Sequence, residues 1–144
     1  MTFDKSRSAG YLANHMARLF AHGLRRRIQP LGLAPAQFMT LLELWSQDGL
    51  TQKQLIERLD VEQATMANTL ARMERDGLVR RRPHPDDERA RRVWMTERAR
   101  SLHGPATEAA MGVNTGALAD LSDDERTQLI DLMTRVIDRM RADG

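Results

Sequence analysis

The sequence has no cysteine, few aromatic residues, only two lysines and no long hydrophobic run. Without cysteine the chain can form neither a disulfide, a thiolate zinc site nor a thiol redox switch. Its apolar runs are far shorter than the ~18 residues of a membrane-spanning helix, and its start lacks the charged-then-apolar order of a signal peptide. These absences predict a cytoplasmic protein that has no membrane partner.

Sequence patterns of catalytic and metal sites are absent as well. The chain has no HExxH motif, no glycine-rich phosphate loop and no nucleophile elbow. Its four histidines are not spaced as a catalytic set. A solvated acidic turn explains His84 beside residues 86–88 better than a metal site does. We therefore expect no enzymatic activity, no bound metal and no cofactor.

Arginine supplies 20 of the 22 basic residues, and the charges are distributed unevenly. Residues 72–100 hold ten arginines and six acids, whereas residues 101–144 hold four arginines and eight acids. Arginine suits bidentate recognition of phosphate and guanine, so the basic middle segment is typical of a region that binds a polyanion. A solvated surface without any partner could show the same charge pattern.

Hydrophobic spacing and capping residues predict a mainly helical chain. Apolar residues recur at helical intervals in six segments, which are 8–28, 35–46, 52–59, 62–76, 96–118 and 122–141. Asp60 is expected to cap the fourth helix, and Gly104-Pro105 to kink the fifth. Strand-like runs at 78–82 and 91–95 flank a polar turn with two prolines, residues 83–90, which predicts a β-hairpin.

The order of these elements predicts the fold class. Three helices followed directly by an arginine-rich hairpin are typical of a winged helix-turn-helix. We therefore predict a mainly α (α+β) protein, a six-helix winged helix-turn-helix with a two-stranded wing, in a single domain over residues 1–144.

The helix over residues 62–76 is the candidate recognition helix. Met66, Leu70 and Met73 recur at steps of four and three, so they should face the core. The opposite face then carries polar side chains that can pair with base edges, namely Gln63, Thr65, Asn68, Thr69 and Arg72. An ordinary solvated helix face would also be polar.

The hairpin adds a concentration of arginine that needs a partner. Six arginines crowd its strands and tip, where they repel one another unless acids or phosphates compensate them. The segments 70–79 and 86–90, with Val93-Trp94-Met95-Thr96, resemble the recognition-helix end, wing and exit of the MarR family of bacterial transcription regulators. The most specific part is Asp87-x-Arg89, and the resemblance extends from about Ser8 to Arg141.

The resemblance implies how each element would bind double-stranded DNA. The recognition helix 62–76 would enter the major groove and the wing 83–92 the minor groove. Arg89 would enter the minor groove, and Asp87 would hold its guanidinium in place. Arg91 and Arg92, and with them Arg81, would contact DNA as well, Arg91 and Arg92 lying against phosphates.

The resemblance also implies a homodimer. Residues 33–96 would form the DNA-binding lobe, and residues 8–30 and 97–142 a helical dimerisation lobe. The chain ends hold more apolar residues than one winged helix can cover, so pairing of two copies would bury them. Two recognition helices would read a pseudo-palindromic operator, and repression by occlusion is the default mode of the family.

A ligand site is a further expectation. His15, Arg18 and His22 lie one to two turns apart on the first helix, and the resemblance places them near Phe38, Trp45, Met111 and Asn114. Such a pocket would suit a small aromatic or anionic effector. The alternative is that the histidines are interface residues and that Arg18 pairs with an acid across the dimer. The alternatives to the regulator as a whole are a non-specific architectural DNA-binding protein without an effector and a winged helix used only for protein contacts.

Overall fold

The computed structural model of the chain describes residues 2–84 and 87–144, with backbone only for residues 83, 84 and 87–90. The described residues form seven α-helices and three β-strands. The helices are α1 (Ala9–Ile28), α2 (Pro35–Ser46), α3 (Gln52–Leu59), α4 (Gln63–Arg75), α5 (Glu97–Ser101), α6 (His103–Ala117) and α7 (Asp123–Asp143). The strands are β1 (Leu50–Thr51), β2 (Val79–His84) and β3 (Asp87–Met95). The predicted mainly helical winged fold is confirmed.

Local capping chemistry fixes several helix ends where the sequence predicts them. The Thr51 hydroxyl accepts a hydrogen bond from the Gln54 N–H at 3.1 Å, and the Gln54 carboxamide accepts one from the Thr51 N–H at 2.8 Å. Gly77, which follows the C-cap residue Asp76 of α4, adopts φ 73°. Asp60, in contrast, does not cap α4. It ends α3 in the left-handed conformation, φ 53°, and Glu62 is the residue that precedes α4.

The fifth predicted helix is two helices, so the described residues form seven α-helices rather than the six predicted. Pro105 explains the break at Leu102. A proline ring clashes with the carbonyl four residues earlier and offers no N–H, so the first helix ends at Ser101. Pro105 then lies in the first turn of α6, where its N–H would have no partner in any case.

The sheet has three strands rather than the predicted two, in the antiparallel order β1-β3-β2. Leu50 of β1 pairs with Val93, and β2 pairs with β3 from Val79↔Met95 outwards. The prediction that residues 83–90 form a turn was also wrong in its extent, because both strands continue into that segment. Charged side chains there hide the alternation that reveals a strand.

The chain divides into two compact units, residues 1–110 and 111–144. The first unit contains a hydrophobic core that helices α2, α3 and α4 share with the sheet, including Leu41, Leu44, Leu55, Leu70, Met73, Leu78 and Val93. Within the same unit, α1 leaves Tyr11, Leu12, Met16 and Leu19 exposed. No helix in the described part of the chain has both the length and the apolar character required to cross a membrane.

The second unit contains α7, which presents many apolar side chains to solvent. Its start is capped as predicted, since the Ser122 hydroxyl accepts from the Glu125 N–H at 3.2 Å. The exposed apolar side chains recur at helical spacing and are Ile130, Leu132, Met133, Val136, Ile137 and Met140. A stripe of this kind costs free energy in water unless another surface covers it.

Candidate nucleic-acid interface

Helix α4 buries one face and presents the opposite face to solvent. Met66, Leu70 and Met73 are buried, as their spacing predicts. The four polar residues Gln63, Thr65, Asn68 and Arg72 are exposed. Their amide, hydroxyl and guanidinium groups can form hydrogen bonds with base edges in a major groove. The sequence therefore predicted the exposure of this face correctly at four of five positions.

Thr69 is the exception, because it is buried and only 9% exposed. Its hydroxyl donates to the Thr65 carbonyl oxygen at 2.9 Å, one turn earlier in α4. Asn68 and Arg72 lie on the exposed side of the boundary between the two faces of α4, whereas Thr69 lies on the buried side. The prediction that Thr69 shares the exposed face was wrong.

A hydrogen-bond network fixes the end of α4 to the rest of the first unit. Gln37 of α2 is 5% exposed; its Oε1 accepts from the Ala34 N–H at 3.0 Å and its Nε2 donates to Asp76 Oδ2 at 2.9 Å. Arg98 of α5 donates from Nη1 to the Asp76 carbonyl oxygen at 2.6 Å. The hydrogen bond from Gln37, assisted by Arg75, holds the pKa of Asp76 below its ordinary value.

The base of the wing carries arginines in several different settings. Arg80, Arg82 and Arg91 are exposed, whereas Arg92 is half-buried. Arg81 is only 24% exposed, and its Nε lies 2.7 Å from Glu74 Oε1 of α4. Arg81 is thus paired with an acid rather than directed into solvent, which differs from the DNA-contacting role that the sequence suggests.

Asp87 and Arg89 are the two wing residues that carry the family resemblance most specifically. The side chains of Asp87 and Arg89 lie outside the residues that the structure describes, although both backbones belong to β3. Their predicted pairing and the entry of Arg89 into the minor groove therefore stay predictions.

A cleft of about 710 Å³ separates α3 and the start of α4 from the wing. Its polar lining includes Gln52, Lys53, Gln63, Arg81 and Arg91, with Glu57 as the acid. Positive groups on both walls of an open groove favour the binding of a polyanion. The cleft lies beside the exposed face of α4, so one nucleic-acid strand could contact both surfaces.

The residues of the predicted ligand site have diverse environments. His15, Arg18 and His22 are exposed on α1, whereas Phe38 is buried in the core and has almost no surface left for a ligand. The Trp45 indole N–H already donates to the Ala99 carbonyl oxygen at 3.0 Å.

Met111 and Asn114 belong to the second unit, so the grouping of all seven residues stays a prediction. Two features of this region are not predicted by the sequence. One is His103, whose ring packs edge-on against Trp45 with centroids 5.0 Å apart. The other is the network of Gln37, Asp76 and Arg98. Neither group has a short-range sequence signal, because its members come from separate elements.

Comparison with known proteins gives a consistent result. The MarR family model matches residues 33–90. The HTH-type transcriptional regulator TtmR of Methylorubrum extorquens is 29% identical over 126 residues, which cover 88% of this chain and 64% of TtmR. The transcriptional regulator HosA of Escherichia coli is 32% identical over 105 residues, which cover 73% of this chain and 78% of HosA.

A solved structure shows the same fold over nearly the whole chain. A protein from Listeria monocytogenes complexed with 26mer DNA superimposes with a TM-score of 0.86 at 20% identity, covering 95% of this chain and 91% of that one. The relatives are transcriptional regulators and not enzymes, which agrees with the lack of catalytic motifs. The match to the family model and the identity to HosA show that the chain belongs to the MarR family of transcriptional regulators.

Proposed function

We propose that the protein is a sequence-specific DNA-binding regulator whose helix α4 reads bases in the major groove. The observation that carries this proposal is the exposed face of Gln63, Thr65, Asn68 and Arg72 on a helix whose other face is buried. Asn or Gln can pair with adenine, Arg with guanine, and the Thr methyl group can contact thymine. Burial of the opposite face holds the helix in one orientation, so these side chains are presented to the DNA from a fixed backbone.

The wing is proposed to bind the DNA beside this helix. Exposed Arg91 and half-buried Arg92, in the middle of β3, suit phosphate contacts, which position the protein without specifying sequence. Lys53, across the cleft from the wing, adds a further positive group. By resemblance to the family, Arg89 inserts into the minor groove and Asp87 orients it.

The protein is proposed to act as a homodimer. In the first unit α1 exposes four large apolar residues, and in the second unit α7 exposes six. Apolar surface of this extent on a monomer is typical of an interface, and an interface between two copies buries the same surface twice. Sedimentation analysis at micromolar concentration should find a dimer, and a monomer would contradict this part of the proposal.

The dimer sets the form of the operator and the mode of regulation. Two copies of α4 related by two-fold symmetry would read half-sites about one helical turn apart, so the operator is expected to be pseudo-palindromic. A dimer that covers such a site near a promoter would repress by occlusion. Because its proposed target is genomic DNA, we place the protein in the cytoplasm.

Effector control is proposed as a second layer of this function. The row of His15, Arg18 and His22 on α1 is exposed and presents a guanidinium between two imidazoles, so it suits a small aromatic carboxylate. The effector would have to bind the DNA-free dimer more tightly than the DNA-bound one. Salicylate or benzoate should then lower DNA affinity in the wild type but less in Arg18→Ala. Equal loss in both would exclude this site.

The proposal is tested by fluorescence anisotropy on DNA from just upstream of the gene and on a scrambled duplex, each at two salt concentrations. The wild type should bind the upstream DNA more tightly, and Arg89→Ala should weaken binding to both duplexes. Arg7→Ala, which removes an exposed arginine near the N-terminus, is the matched control. Equal affinity for both duplexes would favour the architectural alternative, and no binding to either would refute the nucleic-acid function.

A further inference from the structure

Arg81 lies on the inner face of the wing, unlike its two arginine neighbours. Residues along a strand alternate between faces, and Val79, two residues before Arg81, is buried. Arg81 pairs directly with Val93, which is fully buried, so the two side chains share the inner face of the sheet. Arg80 and Arg82 occupy the outer face and are exposed.

The Arg81 guanidinium connects three elements of the DNA-binding region. Its Nε lies 2.7 Å from Glu74 Oε1, on the last turn of α4. Its Nη1 lies 3.4 Å from Gln52 Oε1, at the first position of α3. The contact with Glu74 is an ion pair and not a hydrogen bond, because the buried Arg81 Nε–H has no acceptor in hydrogen-bond geometry among the described residues; the directional contact is the hydrogen bond that Nη1 donates to Gln52. The wing is therefore tied to the recognition helix by an ion pair.

The position of Glu74 makes the pair informative about function. A carboxylate at the end of a helix that faces DNA repels the phosphate backbone, so by charge alone Glu74 weakens DNA binding. Glu74 also neutralises an arginine that could otherwise attract phosphate. Both effects oppose affinity, and the remaining contribution of the pair is the geometry that it imposes on α4 and β2.

We propose that Glu74 and Arg81 are positioning residues that set the angle between the recognition helix and the wing, so that both grooves are contacted at once. This inference rests on the proposed DNA-binding function. It assigns Arg81 to internal positioning instead of a direct DNA contact. Loss of either partner leaves the core packing between the wing and α4 in place but loosens the angle between them, and the affinity gained by contacting two grooves together is reduced.

The test measures DNA binding by Glu74→Gln, Arg81→Met and the double variant. The probe is a duplex enriched by the full-length wild type from a random-sequence pool, and each affinity is measured between about 50 and 200 mM salt. Glu108→Gln removes the same charge from an exposed site on α6 and serves as the matched control for Glu74. Arg91→Met serves as the control for a direct phosphate contact. Thermal unfolding of each variant establishes that it is folded.

Positioning predicts that Glu74→Gln weakens binding, roughly tenfold, although the change removes a negative charge. Arg81→Met should weaken binding similarly, and the double variant should bind no more weakly than the weaker single variant. The slope of log affinity against log salt concentration should stay at the wild-type value in Arg81→Met. In Arg91→Met the magnitude of this slope should decrease by about 0.9 for each protomer bound. Glu108→Gln should bind as the wild type does.

Two results would overturn the inference while leaving the proposed function intact. If Glu74→Gln binds DNA as tightly as the wild type or more tightly, Glu74 acts through its charge alone. A salt slope that falls in Arg81→Met as in Arg91→Met shows that Arg81 contacts a phosphate directly. A wild type that enriches no sequence from the pool refutes the proposed function itself.

Discussion

Replacement of Gln37 by Met tests whether the hydrogen bonds at the end of the recognition helix stabilise the fold. Gln37 is buried, and its carboxamide makes two hydrogen bonds, to the Ala34 N–H at 3.0 Å and to Asp76 Oδ2 at 2.9 Å. Met has a similar length and can make neither bond. The half-buried Ala34 N–H would lose its side-chain acceptor, and the Asp76 carboxylate would lose its donor.

The magnitude follows from the two bonds. A neutral hydrogen bond contributes about 0.5–1.5 kcal/mol and one to a charged group about 1.5–3 kcal/mol, so Gln37→Met should lower the free energy of unfolding by about 2–4 kcal/mol. For a chain of this size the loss corresponds to a decrease in Tm of about 4–16 °C. Urea unfolding followed by circular dichroism, at one fixed protomer concentration, measures it.

A matched substitution separates this effect from the change of residue type. Gln128 is exposed on α7, and Gln128→Met should change the free energy of unfolding by less than about 0.5 kcal/mol. A decrease below about 0.5 kcal/mol in Gln37→Met as well would refute the reasoning, because the network would then contribute nothing to the fold.

Three further predictions concern other parts of the chain. Because the pKa of Asp76 is lowered in the folded state, its contribution to stability is present above about pH 4 and is lost as the pH falls through the folded pKa. The urea midpoint of the wild type should therefore fall more between about pH 5 and 3 than the midpoint of Gln37→Met does. Parallel pH curves for the two proteins would contradict this prediction. Gly49→Ala should lower the free energy of unfolding by about 1–3 kcal/mol, measured by calorimetry. The reason is that Gly49 has φ 73° and that an added Cβ would lie 2.6 Å from the Trp94 ring. An unchanged Tm would be inconsistent with this packing. Val136→Asp on the exposed stripe of α7 should shift the protein from dimer to monomer in sedimentation analysis, and an intact dimer would exclude that stripe from the interface.

The sequence predicted those features of the fold that depend on neighbouring residues. Helical spacing located Met66, Leu70 and Met73 in the core, and the capping box located the start of α3. Features set by tertiary contact were missed. The strand β1 has two residues and no periodicity, and it exists because Leu50 pairs with Val93.

Errors at the candidate interface have the same origin. Thr69 lies at the boundary of two helix faces, where the width of the buried face decides exposure, and that width depends on what packs against α4. Arg81 was grouped with its arginine neighbours by composition, although the alternation from buried Val79 already placed it on the inner face of β2. Only the position of Glu74 reveals its partner.

The most direct test of base recognition by α4 compares the wild type with Asn68→Ala on the enriched operator and on scrambled DNA. Asn68 is exposed at the middle of the helix, on the face opposite the buried Met66, Leu70 and Met73. We expect Asn68→Ala to lose about 1–3 kcal/mol per half-site on the operator, with almost unchanged affinity for scrambled DNA, because base contacts specify sequence and phosphate contacts do not. An equal loss on both duplexes, or no loss on the operator, would contradict the assignment of this face as the base-reading surface.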